Sequence, residues 1–459
     1  MKILIVGNLY PPHHQGGYEL RCAQVTEYLL RQGHDVRVVT SSYQINGATD
    51  GAVIREDRVN GVPVARFLRQ HRLEPGGRGR RLNNLDVVRR QLADATRFSE
   101  ILDQFNPDLV SWWNLEGVTK LGLRMAQDRG IPSVHCIDDN WMIREFGAAG
   151  DVDLPFWFEF WRVKWGPRLL RPIVRFGLAP FERRIERRGI PTRVFGVPEG
   201  HVCFISGFWR FLHERAGLDV RSSDVIYGGV SPEKFFTERS LADYADGPLR
   251  LLYAGYIDER RGLHTIVEAL GLIPAAQRDR MHLSVAHAGP VVPDEYVNSI
   301  MARITQLGLS KHITFLGRVP HQEMPAVYAA HHVLVFASIR NEGMPMVMME
   351  AMCAGCAVPN TGSGGAIELS ERAGTPLFPK EHPFALSRLL SALEEDRLRV
   401  ADIALRGQQT VLREFTIDQM MARTCEVFVR IAKATSDPDF TATISRMPIR
   451  SQEQACRNR

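Results

Sequence analysis

Residues 341–355 read NEGMPMVMMEAMCAG, and this stretch decides the fold. It follows an apolar run at Val333–Phe336 that is typical of a buried strand. Pro345 suits the first turn of a helix, because its missing N–H would be unpaired there in any case. The pattern predicts a strand, a loop and a helix that ends near Gly355, with N–H groups at the helix N-terminus available to phosphate.

Two carboxylates of this stretch are eight residues apart, Glu342 in the loop and Glu350 in the helix. Beside a phosphate-binding helix end, each can accept hydrogen bonds from sugar hydroxyls, one from a hexose and one from a ribose. A carboxylate pair that acts on water as general acid and base is the competing functional interpretation. Two ordinary surface glutamates are the structural alternative.

Strand and helix patterns alternate along the whole chain, with helices predicted first at Tyr18–Gln32 and last at Ile417–Ile431. Such alternation favours an α/β fold with parallel sheets covered by helices on both faces. Ligands of these sheets bind at the carboxyl ends of the strands. The predicted strands are Lys2–Val6, Val36–Thr40, Leu109–Trp112, Val134–Ile137, Leu249–Ala254, His282–Ala286, Ile313–Phe315, Val333–Phe336 and Ala357–Pro359.

The two series of strands predict two Rossmann-like domains. The first covers residues 1–228, with 412–435 packing back on it, and the second covers 229–411. Their junction lies in Tyr227–Gly247, which is rich in glycine and proline. Residues 436–459 are polar and without periodicity, which predicts a flexible tail.

Composition is ordinary for a globular protein, with 44% hydrophobic and 24% charged residues among 459. No apolar run reaches the ~18 residues that a membrane-spanning helix needs. The apolar run at the N-terminus is too short for a signal peptide and is better interpreted as a strand. Seven scattered cysteines indicate no disulfide framework, so we expect a protein of the reducing cytoplasm.

Arginines cluster at Arg69–Arg90 and Arg162–Arg188, and Asp151–Arg188 also carries many aromatic side chains. A solvated basic surface and an insertion packed on its own domain are the structural interpretations. The functional alternative is an element that binds the acceptor or contacts an anionic lipid or membrane surface. We expect no nucleic-acid partner. The aromatic residues are Phe156, Trp157, Phe158, Phe160, Trp161 and Trp165.

Two adjacent glycines, Gly16 and Gly17, precede the first predicted helix. They let the backbone come close to a ligand, and the free N–H groups at this helix end favour an anion. A tight turn without a ligand is the alternative. The GxGxxG pattern is absent from this segment, so a nicotinamide or flavin cofactor is not supported, and no cofactor is expected.

The segment from Glu342 to Gly355 resembles the E-x7-E signature of family 4 glycosyltransferases, which are retaining enzymes that use nucleotide-sugar donors. The resemblance implies a GT-B fold, with two Rossmann-like domains, a cleft between them and a C-terminal helix that crosses back. Other segments resemble the family too: Pro11-Pro12, Gly16-Gly17, Gly33-His34-Asp35-Val36, Ile205-Ser206, Tyr227-Gly228-Gly229-Val230, Phe315-Leu316-Gly317, Tyr328-Ala329-Ala330 and Gly364-Gly365-Ala366-Ile367-Glu368.

The resemblance also implies roles for individual residues. Glu342 would bind the transferred sugar and Glu350 the ribose of the nucleotide. Gly16 and Gly17 would lie against the donor phosphate and sugar. The backbone that holds the diphosphate would be that of Gly343, Met344, Pro345, Met346 and Val347, and the residues near the base would be Gly317 and Arg318.

One departure concerns the cations of the catalytic site. The family typically has Gly-Arg followed five residues later by Lys-Gly, and both cations neutralise the leaving diphosphate. Here Arg261 keeps a cation in the Lys position, but Tyr256 replaces the Arg. Stabilising the leaving group is the main demand of this chemistry. Arg261 is therefore a predicted catalytic residue, and Arg260 is a candidate to compensate for Tyr256.

A second departure is Asp138, which stands where the family commonly has His, and it is a predicted catalytic residue. It can bind a sugar hydroxyl or an amino group, or form half of a metal-binding pair with Asp139. GT-B enzymes generally need no metal, so we expect no metal site. His287 replaces a family glycine and either stacks near the nucleotide or packs in its loop. Cys353 and Cys356 form a CxxC without a second pair, which indicates packing.

These patterns predict a retaining glycosyltransferase that moves a sugar from a nucleoside diphosphate sugar to a hydroxyl acceptor. The acceptor is a saccharide or glycolipid, and the process is polysaccharide or glycolipid synthesis. The protein would be cytoplasmic, with possible peripheral contact at the inner face of the membrane. Two alternatives remain: a nucleotide-sugar epimerase, which needs no acceptor, and a donor-binding protein with little turnover.

Overall fold

The computed structural model describes residues 1–14, 16–43, 55–69, 84–146, 153–155, 171–191, 193–195, 199–287 and 295–434. The strands are β1 (Lys2–Val6), β2 (Asp35–Ser41), β3 (Arg55–Val59), β4 (Val62–Leu68), β5 (Leu109–Trp112), β6 (Ser133–Ile137), β7 (Asp153–Pro155), β8 (Arg193–Phe195), β9 (His201–Phe204), β10 (Ser223–Val225), β11 (Leu249–Gly255), β12 (Met281–His287), β13 (Ile313–Arg318) and β14 (Val333–Leu334).

The helices with their bounds are α1 (Gly17–Arg31), α2 (Asn84–Phe105), α3 (Leu121–Asp128), α4 (Trp141–Phe146), α5 (Arg171–Glu186), α6 (Gly207–Arg215), α7 (Pro232–Phe235), α8 (Ala242–Ala245), α9 (Leu263–Leu272), α10 (Ala275–Arg278), α11 (Glu295–Gln306), α12 (Met324–Ala329), α13 (Met346–Cys353), α14 (Ala366–Ala373), α15 (Pro383–Glu395), α16 (Arg397–Glu414) and α17 (Ile417–Ala434). A 3₁₀ turn covers Glu259–Arg261.

The chain divides into two compact units. The first contains Met1–Cys203, Leu212–Asp224 and the described residues from Met421 on, and the second contains Phe204–Phe211 and Val225–Met420. Both units are α/β, as the alternation of strand and helix patterns predicts. The short segment Phe204–Phe211 belongs to the second unit although residues on both sides of it belong to the first.

An eight-stranded sheet forms the first unit's framework, in the order β10-β9-β6-β5-β1-β2-β4-β3. The central strand β1 is apolar along Ile3–Val6, and these side chains are buried, as expected for a strand covered on both faces. It pairs in parallel with β2 and β5. The β3–β4 hairpin is antiparallel and was not predicted. Its residues at the turn, Asn60 and Gly61, both have positive φ, the conformation that a tight hairpin turn requires.

A four-stranded sheet forms the second unit's framework, in the order β13-β12-β11-β14. The strands pair in parallel, and β11 lies next to β12 over its whole length, from Leu249 opposite Met281 to Gly255 opposite His287. Apolar side chains of this sheet and of α9, α15 and α16 form one buried core. The parallel arrangement brings the carboxyl ends of β11, β12 and β13 to one edge of the sheet.

The strand predicted at Ala357–Pro359 is wrong as a continuous element. The structure has isolated bridges there, Val333 with Ala357 and Phe336 with Asn360. Ala357 N–H donates to His332 O at 2.9 Å, and Phe336 N–H donates to Pro359 O at 3.0 Å. Thr361 N–H returns a bond to Phe336 O at 3.2 Å, but Pro359 has no N–H to donate to the neighbouring strand, so the ladder is interrupted there. The same interruption shortens the neighbouring strand, which was predicted to reach Phe336 and ends at Leu334.

Three predictions fall partly or wholly on residues outside the described ranges. They are the tail 436–459, most of the aromatic and basic segment 151–188, and the central part of the basic run 69–90. Within segment 151–188 the structure gives β7 and α5. The predicted aromatic side chains, from Phe156 to Trp165, lie outside the described residues.

Candidate functional site

The candidate site begins at the carboxyl edge of the second unit's sheet. Gly255 ends β11 opposite His287 of β12, and His287 is in turn opposite Arg318 of β13. His287 is buried, whereas Arg318 is exposed. Gly317 has φ of 78° and open space where a Cβ would stand. The predicted residues Gly317 and Arg318 therefore lie at the same edge as the loop that follows β11.

Glu342 lies in the loop after β14 and is bound by two side chains. Arg261 Nη1 donates to Glu342 Oε1 at 2.6 Å, and Ser338 Oγ donates to the same oxygen at 2.7 Å. The side chains of Glu342 and Arg261 keep 11% and 23% of their exposure. The Nε of Arg261 is buried and has no hydrogen-bond partner among the described residues. This guanidinium thus holds the carboxylate through Nη1, while its Nε–H is buried without an acceptor among the described residues.

The position of Arg261 depends on the glycine that follows it. Gly262 has φ of 75°, and a Cβ there would stand 2.1 Å from the carbonyl oxygen of Ala337. Only a glycine allows this close approach. It lets the 3₁₀ turn Glu259–Arg261 pack on the segment that follows β14. Ile339 N–H donates to Arg260 O at 2.9 Å and joins the same two segments. The backbone therefore brings Arg261 to Glu342, 81 residues away in sequence.

The glycine-rich turn Gly364-Gly365 supports Glu342 from another direction. A Cβ on Gly365 would stand 1.8 Å from the carbonyl oxygen of Gly343, and one on Gly364 would stand 2.2 Å from the carbonyl oxygen of Glu342. Gly365 N–H also donates to Glu342 O at 3.0 Å. The turn thus packs directly on the backbone that carries the carboxylate, and side chains in its place would displace that backbone.

Helix α13 begins directly after this loop, with Pro345 at the N-cap position, one residue earlier than the predicted first turn. No side chain caps the helix. Met344 is buried, whereas Met346 and Val347 are partly exposed. An uncapped N-terminus leaves N–H groups of the first turn without an intrahelical acceptor, and these attract anions.

Glu350 is buried in α13, with both carboxylate oxygens bound. Tyr328 Oη donates to Oε2 at 2.9 Å, and His321 Nε2 is 2.9 Å from Oε1. The hydrogen bond to Glu350 raises the pKa of His321 against the opposing effect of burial. Neither partner was predicted, because 22 and 29 residues separate them from Glu350 and the spacing carries no signal for such a contact.

The two remaining predicted residues near Arg261 are exposed. Tyr256 is 47% exposed, and its backbone carbonyl oxygen accepts a hydrogen bond from Tyr253 Oη. Arg260 pairs with Asp258, with 3.5 Å between Nε and Oδ1. The structure therefore brings Arg261, and not Arg260, into contact with Glu342.

The first unit holds the predicted residues Gly16, Gly17 and Asp138. Gly16 is the N-cap of α1, and neither glycine has an atom within 4 Å of an added Cβ, so the space beside them is open. The prediction of free N–H groups at this helix end is wrong for Gly16, whose N–H donates to Glu19 Oε2 at 3.0 Å. This is the capping-box arrangement, in which a glutamate three residues after the N-cap accepts a hydrogen bond from the N-cap N–H.

Asp138 follows β6 and forms a buried ion pair with Arg21 of α1. Burial raises the pKa of Asp138 to about 6, although the charge of Arg21 acts in the opposite direction. Arg21 also lies over the Trp113 ring at 5.6 Å. The carboxylate predicted to face a sugar is thus paired within the first unit, while Asp139 caps the N–H of Trp141 at 2.8 Å.

Cys353 and Cys356 are both fully buried, as the packing interpretation predicts. Burial raises the pKa of each thiol to about 12, which keeps both protonated near neutral pH. Within the described ranges, no group of three or more His, Cys, Asp or Glu side chains is arranged to hold a metal ion. Among the same residues, no helix combines the length and the apolar composition needed to cross a membrane.

Two family models match the chain. The one described as "Glycosyl transferase 4-like domain" covers residues 16–179, and the one described as "Glycosyl transferases group 1" covers residues 237–410. Curated relatives are similar over different lengths. An uncharacterized glycosyltransferase of Methanocaldococcus jannaschii is 22% identical over 93% of this chain and 98% of its own.

Two further relatives match over part of their length. The GDP-mannose-dependent alpha-(1-6)-phosphatidylinositol monomannoside mannosyltransferase of Mycobacterium tuberculosis is 28% identical over 55% of this chain and 66% of its own. The amylovoran biosynthesis glycosyltransferase of Erwinia amylovora is 24% identical over 50% of this chain and 56% of its own. The alignment thus spans about half of this chain in both cases.

Solved structures resemble the fold over nearly the whole chain. Anabaena HepE in complex with UDP and glucose has a TM-score of 0.61 at 18% identity, covering 94% of this chain and 100% of its own. Sucrose-phosphate synthase from Thermosynechococcus elongatus has a TM-score of 0.64 at 17% identity, covering 94% and 99%. The predicted GT-B fold, with two Rossmann-like domains, is confirmed by these neighbours.

Proposed function

The chain belongs to the family 4-like glycosyltransferases, and on that premise we propose that it transfers a hexose from a nucleoside diphosphate sugar to a hydroxyl acceptor with retention at the anomeric carbon. The observation that carries the proposal is the pairing of Arg261 with Glu342 beside the uncapped N-terminus of α13. A cation and a helix N-terminus suit a diphosphate, and a carboxylate next to them suits the hydroxyls of the attached sugar.

In this proposal the leaving diphosphate is stabilised by the α13 N-terminus and by Arg261, whose buried Nε has no partner among the described residues. The bond between the anomeric carbon and the diphosphate oxygen breaks as the acceptor oxygen bonds to that carbon from the same face. The acceptor proton leaves with the diphosphate. Fixed donors aimed at the developing charge are the largest contribution that a protein makes to such a step.

The other assignments are the ones that the family resemblance implies. Glu342 binds the transferred sugar, Glu350 binds the ribose, and Gly317 with Arg318 lies near the base. The contact of Gly16 and Gly17 with the donor phosphate and sugar stays a prediction from the family resemblance. The catalytic role of Asp138 stays a prediction, and its pairing with Arg21 supports in addition a role in ordering the loop after β6.

Nucleotide binding is the first test. UDP, GDP and ADP are added separately, and the melting temperature of the protein is followed. A ligand at 100 times its dissociation constant adds about 2.7 kcal/mol to the free energy of unfolding, which is readily measured. Anomeric NMR of the product then decides between retention and inversion. Failure of all nucleotides and their sugars to shift the melting temperature contradicts the proposal.

An epimerase is the first competing function, since the GT-B fold can serve that chemistry. Incubation of each nucleotide sugar without acceptor separates the two, because an epimerase forms the isomeric sugar nucleotide and a transferase does not. A donor-binding protein with little turnover is the second, and the exposed Tyr256 motivates it. If wild type binds donor without transfer and Tyr256→Arg restores transfer, the second interpretation is correct.

We also propose that the acceptor is a saccharide or glycolipid of polysaccharide or envelope synthesis, met at the membrane surface. The support is the arginine-rich and aromatic composition of residues 151–188. Flotation with vesicles that contain an anionic phospholipid, against vesicles of a neutral phospholipid, tests this contact. Equal absence of the protein from both floated fractions contradicts it.

A further inference from the structure

We propose that His321 is a positioning residue that gives the nucleotide site its selectivity for ribose over deoxyribose. The inference rests on the proposed function, because it assigns His321 a role in the ribose contact of Glu350. His321 follows β13 in the short connection to α12 and reaches α13 through its side chain. It is therefore outside the signature stretch and acts on that stretch from another element.

The first argument is how Glu350 is held. Its side chain keeps only 6% of its exposure, so its charge must be compensated by hydrogen bonds. Tyr328 Oη binds Oε2 from the buried side, and His321 binds Oε1 while keeping 68% of its own exposure. His321 is thus the one of these two partners that lies toward solvent, the direction from which a nucleotide arrives.

The second argument is that His321 is itself fixed. Its ring packs against Phe235 of α7, with 5.5 Å between ring centroids, and Tyr328 packs against the same ring at 6.0 Å. One aromatic side chain therefore orients both donors to Glu350. Lys234, adjacent to Phe235, is the other charged group that acts on His321, and its charge lowers the pKa of the imidazole, whereas Glu350 raises it.

The two hydrogen bonds fix the orientation of the Glu350 carboxylate. Each carboxylate oxygen has a second acceptor site beyond the one used by Tyr328 or His321, and ribose hydroxyls donate to these sites. Two donors on opposite oxygens prevent the carboxylate from rotating, so its free acceptor sites keep one direction. Without His321, Oε1 is free to turn away, and the energy of the ribose contact falls. Base and diphosphate contacts involve other residues and remain.

The experiment compares a nucleoside diphosphate with its 2′-deoxy and 3′-deoxy analogues. The base is chosen from UDP, GDP and ADP by its effect on wild type, and dissociation constants are measured by calorimetry. For His321→Ala we expect the preference for the ribonucleotide over a deoxy analogue to fall on the order of tenfold, the worth of one hydrogen bond to a charged group. His321→Gln, which retains an N–H donor, is expected to restore part of that preference.

His282→Ala is the matched control, since His282 also bonds a neighbouring side chain, Thr314, at 2.9 Å on the same sheet. It is expected to keep the wild-type ratio. A His321→Ala protein that folds and keeps the wild-type ratio overturns the inference while leaving the proposed function intact. A wild type that binds no nucleotide overturns both, and an equal loss of affinity for all analogues shows a merely structural His321.

Discussion

Arg261 is one of many ion-paired arginines in the second unit, but it lies at the carboxyl edge of the sheet, and its buried Nε has no partner in the described part of the chain. If that N–H binds the leaving diphosphate, Arg261→Ala removes charge stabilisation that acts in the transition state. We expect kcat to fall about 10²- to 10³-fold, the usual effect of losing one such donor. Initial rates with saturating nucleotide sugar measure it.

Arg303 provides the control for this substitution. It lies on α11 of the same unit and pairs with Glu268, with 2.7 Å between Nη2 and Oε2. Arg303→Ala is expected to leave kcat within about twofold, because an exposed ion pair contributes little. Equal losses of kcat in the two variants would show that the Arg261 effect is one of stability.

At the residue scale, the sequence singled out individual side chains but did not predict the partners that they have in the structure. Arg261 was placed by its position five residues after Tyr256, and the structure brings it to Glu342. Asp138 is predicted to be catalytic, and the sequence gives no sign of its partner in the structure, Arg21, which is 117 residues away. No spacing rule connects residues that far apart in sequence, since only the register of the folded sheet and helices brings them together.

At the scale of elements, the Gly364-Gly365 turn before α14 packs so closely on the Glu342 loop that both positions require glycine. In Gly365→Ala the added Cβ would be 1.8 Å from the carbonyl oxygen of Gly343, so the turn and the Glu342 loop must separate. We expect a loss of about 1–3 kcal/mol in the free energy of unfolding, as for other overpacked sites. We also expect a weaker thermal shift with nucleotide.

Gly407→Ala is the comparison for that variant. Gly407 lies inside α16, and its added Cβ would meet Met352 at 3.4 Å, an ordinary contact. Alanine is the better helix former, so this variant is expected to be as stable as wild type or more so. Urea unfolding of both variants measures the difference. A Gly365→Ala protein with the wild-type midpoint would refute the assigned packing.

Gly16 at the start of α1 allows a cleaner separation of function from stability. Its φ is −164°, an extended conformation that any residue adopts, and no atom lies within 4 Å of an added Cβ. No clash arises in Gly16→Ala, but alanine is a poorer N-cap residue than glycine, so we expect a loss of about 1 kcal/mol in the free energy of unfolding and a protein that still folds. If a donor approaches the backbone there, kcat/KM falls by about tenfold or more through misplacement of the ligand. Unchanged kcat/KM would favour the tight-turn interpretation.

The elements themselves were largely predictable where the sequence pattern is unambiguous. Lys2–Val6 and Leu109–Trp112 match the structure at both ends, because a buried parallel strand is a continuous apolar run between polar residues. The prediction of a strand at Ala357–Pro359 is wrong because it rested on the apolar pattern alone. That pattern does not take into account that Pro359 lacks an N–H and interrupts the ladder. The β3–β4 hairpin was missed because REDRV is a polar edge strand, without the apolar run that identified the others.

At the scale of the whole molecule, alternation of strands and helices predicts two α/β units, but their borders depend on long-range contacts. Phe204–Phe211 belongs to the second unit, and the Glu368 carboxylate there accepts from Gly207 N–H at 2.9 Å and Phe208 N–H at 2.8 Å. These bonds join residues 160 or more positions apart. Local sequence patterns do not indicate that Phe204–Phe211 belongs to the second unit. They therefore predict a single junction near residue 228.

Each unit also carries a buried histidine that makes the protein sensitive to acid. Burial lowers the pKa of His135 in the first unit to about 4, and that of His332 in the second to about 3. Both folded-state values lie below the unfolded value, so each native state favours the neutral ring. Each neutral histidine therefore contributes to the free energy of unfolding in full above about pH 6.5. This contribution is lost as the pH falls toward the folded pKa, and the loss is about 1.4 kcal/mol per pH unit for each histidine.

Substitution of these histidines tests the assignment through the slope of stability against pH. His135→Gln and His332→Gln each remove one titrating group, so the free energy of unfolding is expected to fall less steeply between about pH 6.5 and about pH 5. The difference for each is about 2 kcal/mol over that interval. Urea unfolding at several pH values gives the slopes, and a wild-type slope in both buried-site variants would mean that these rings are already charged in the folded protein.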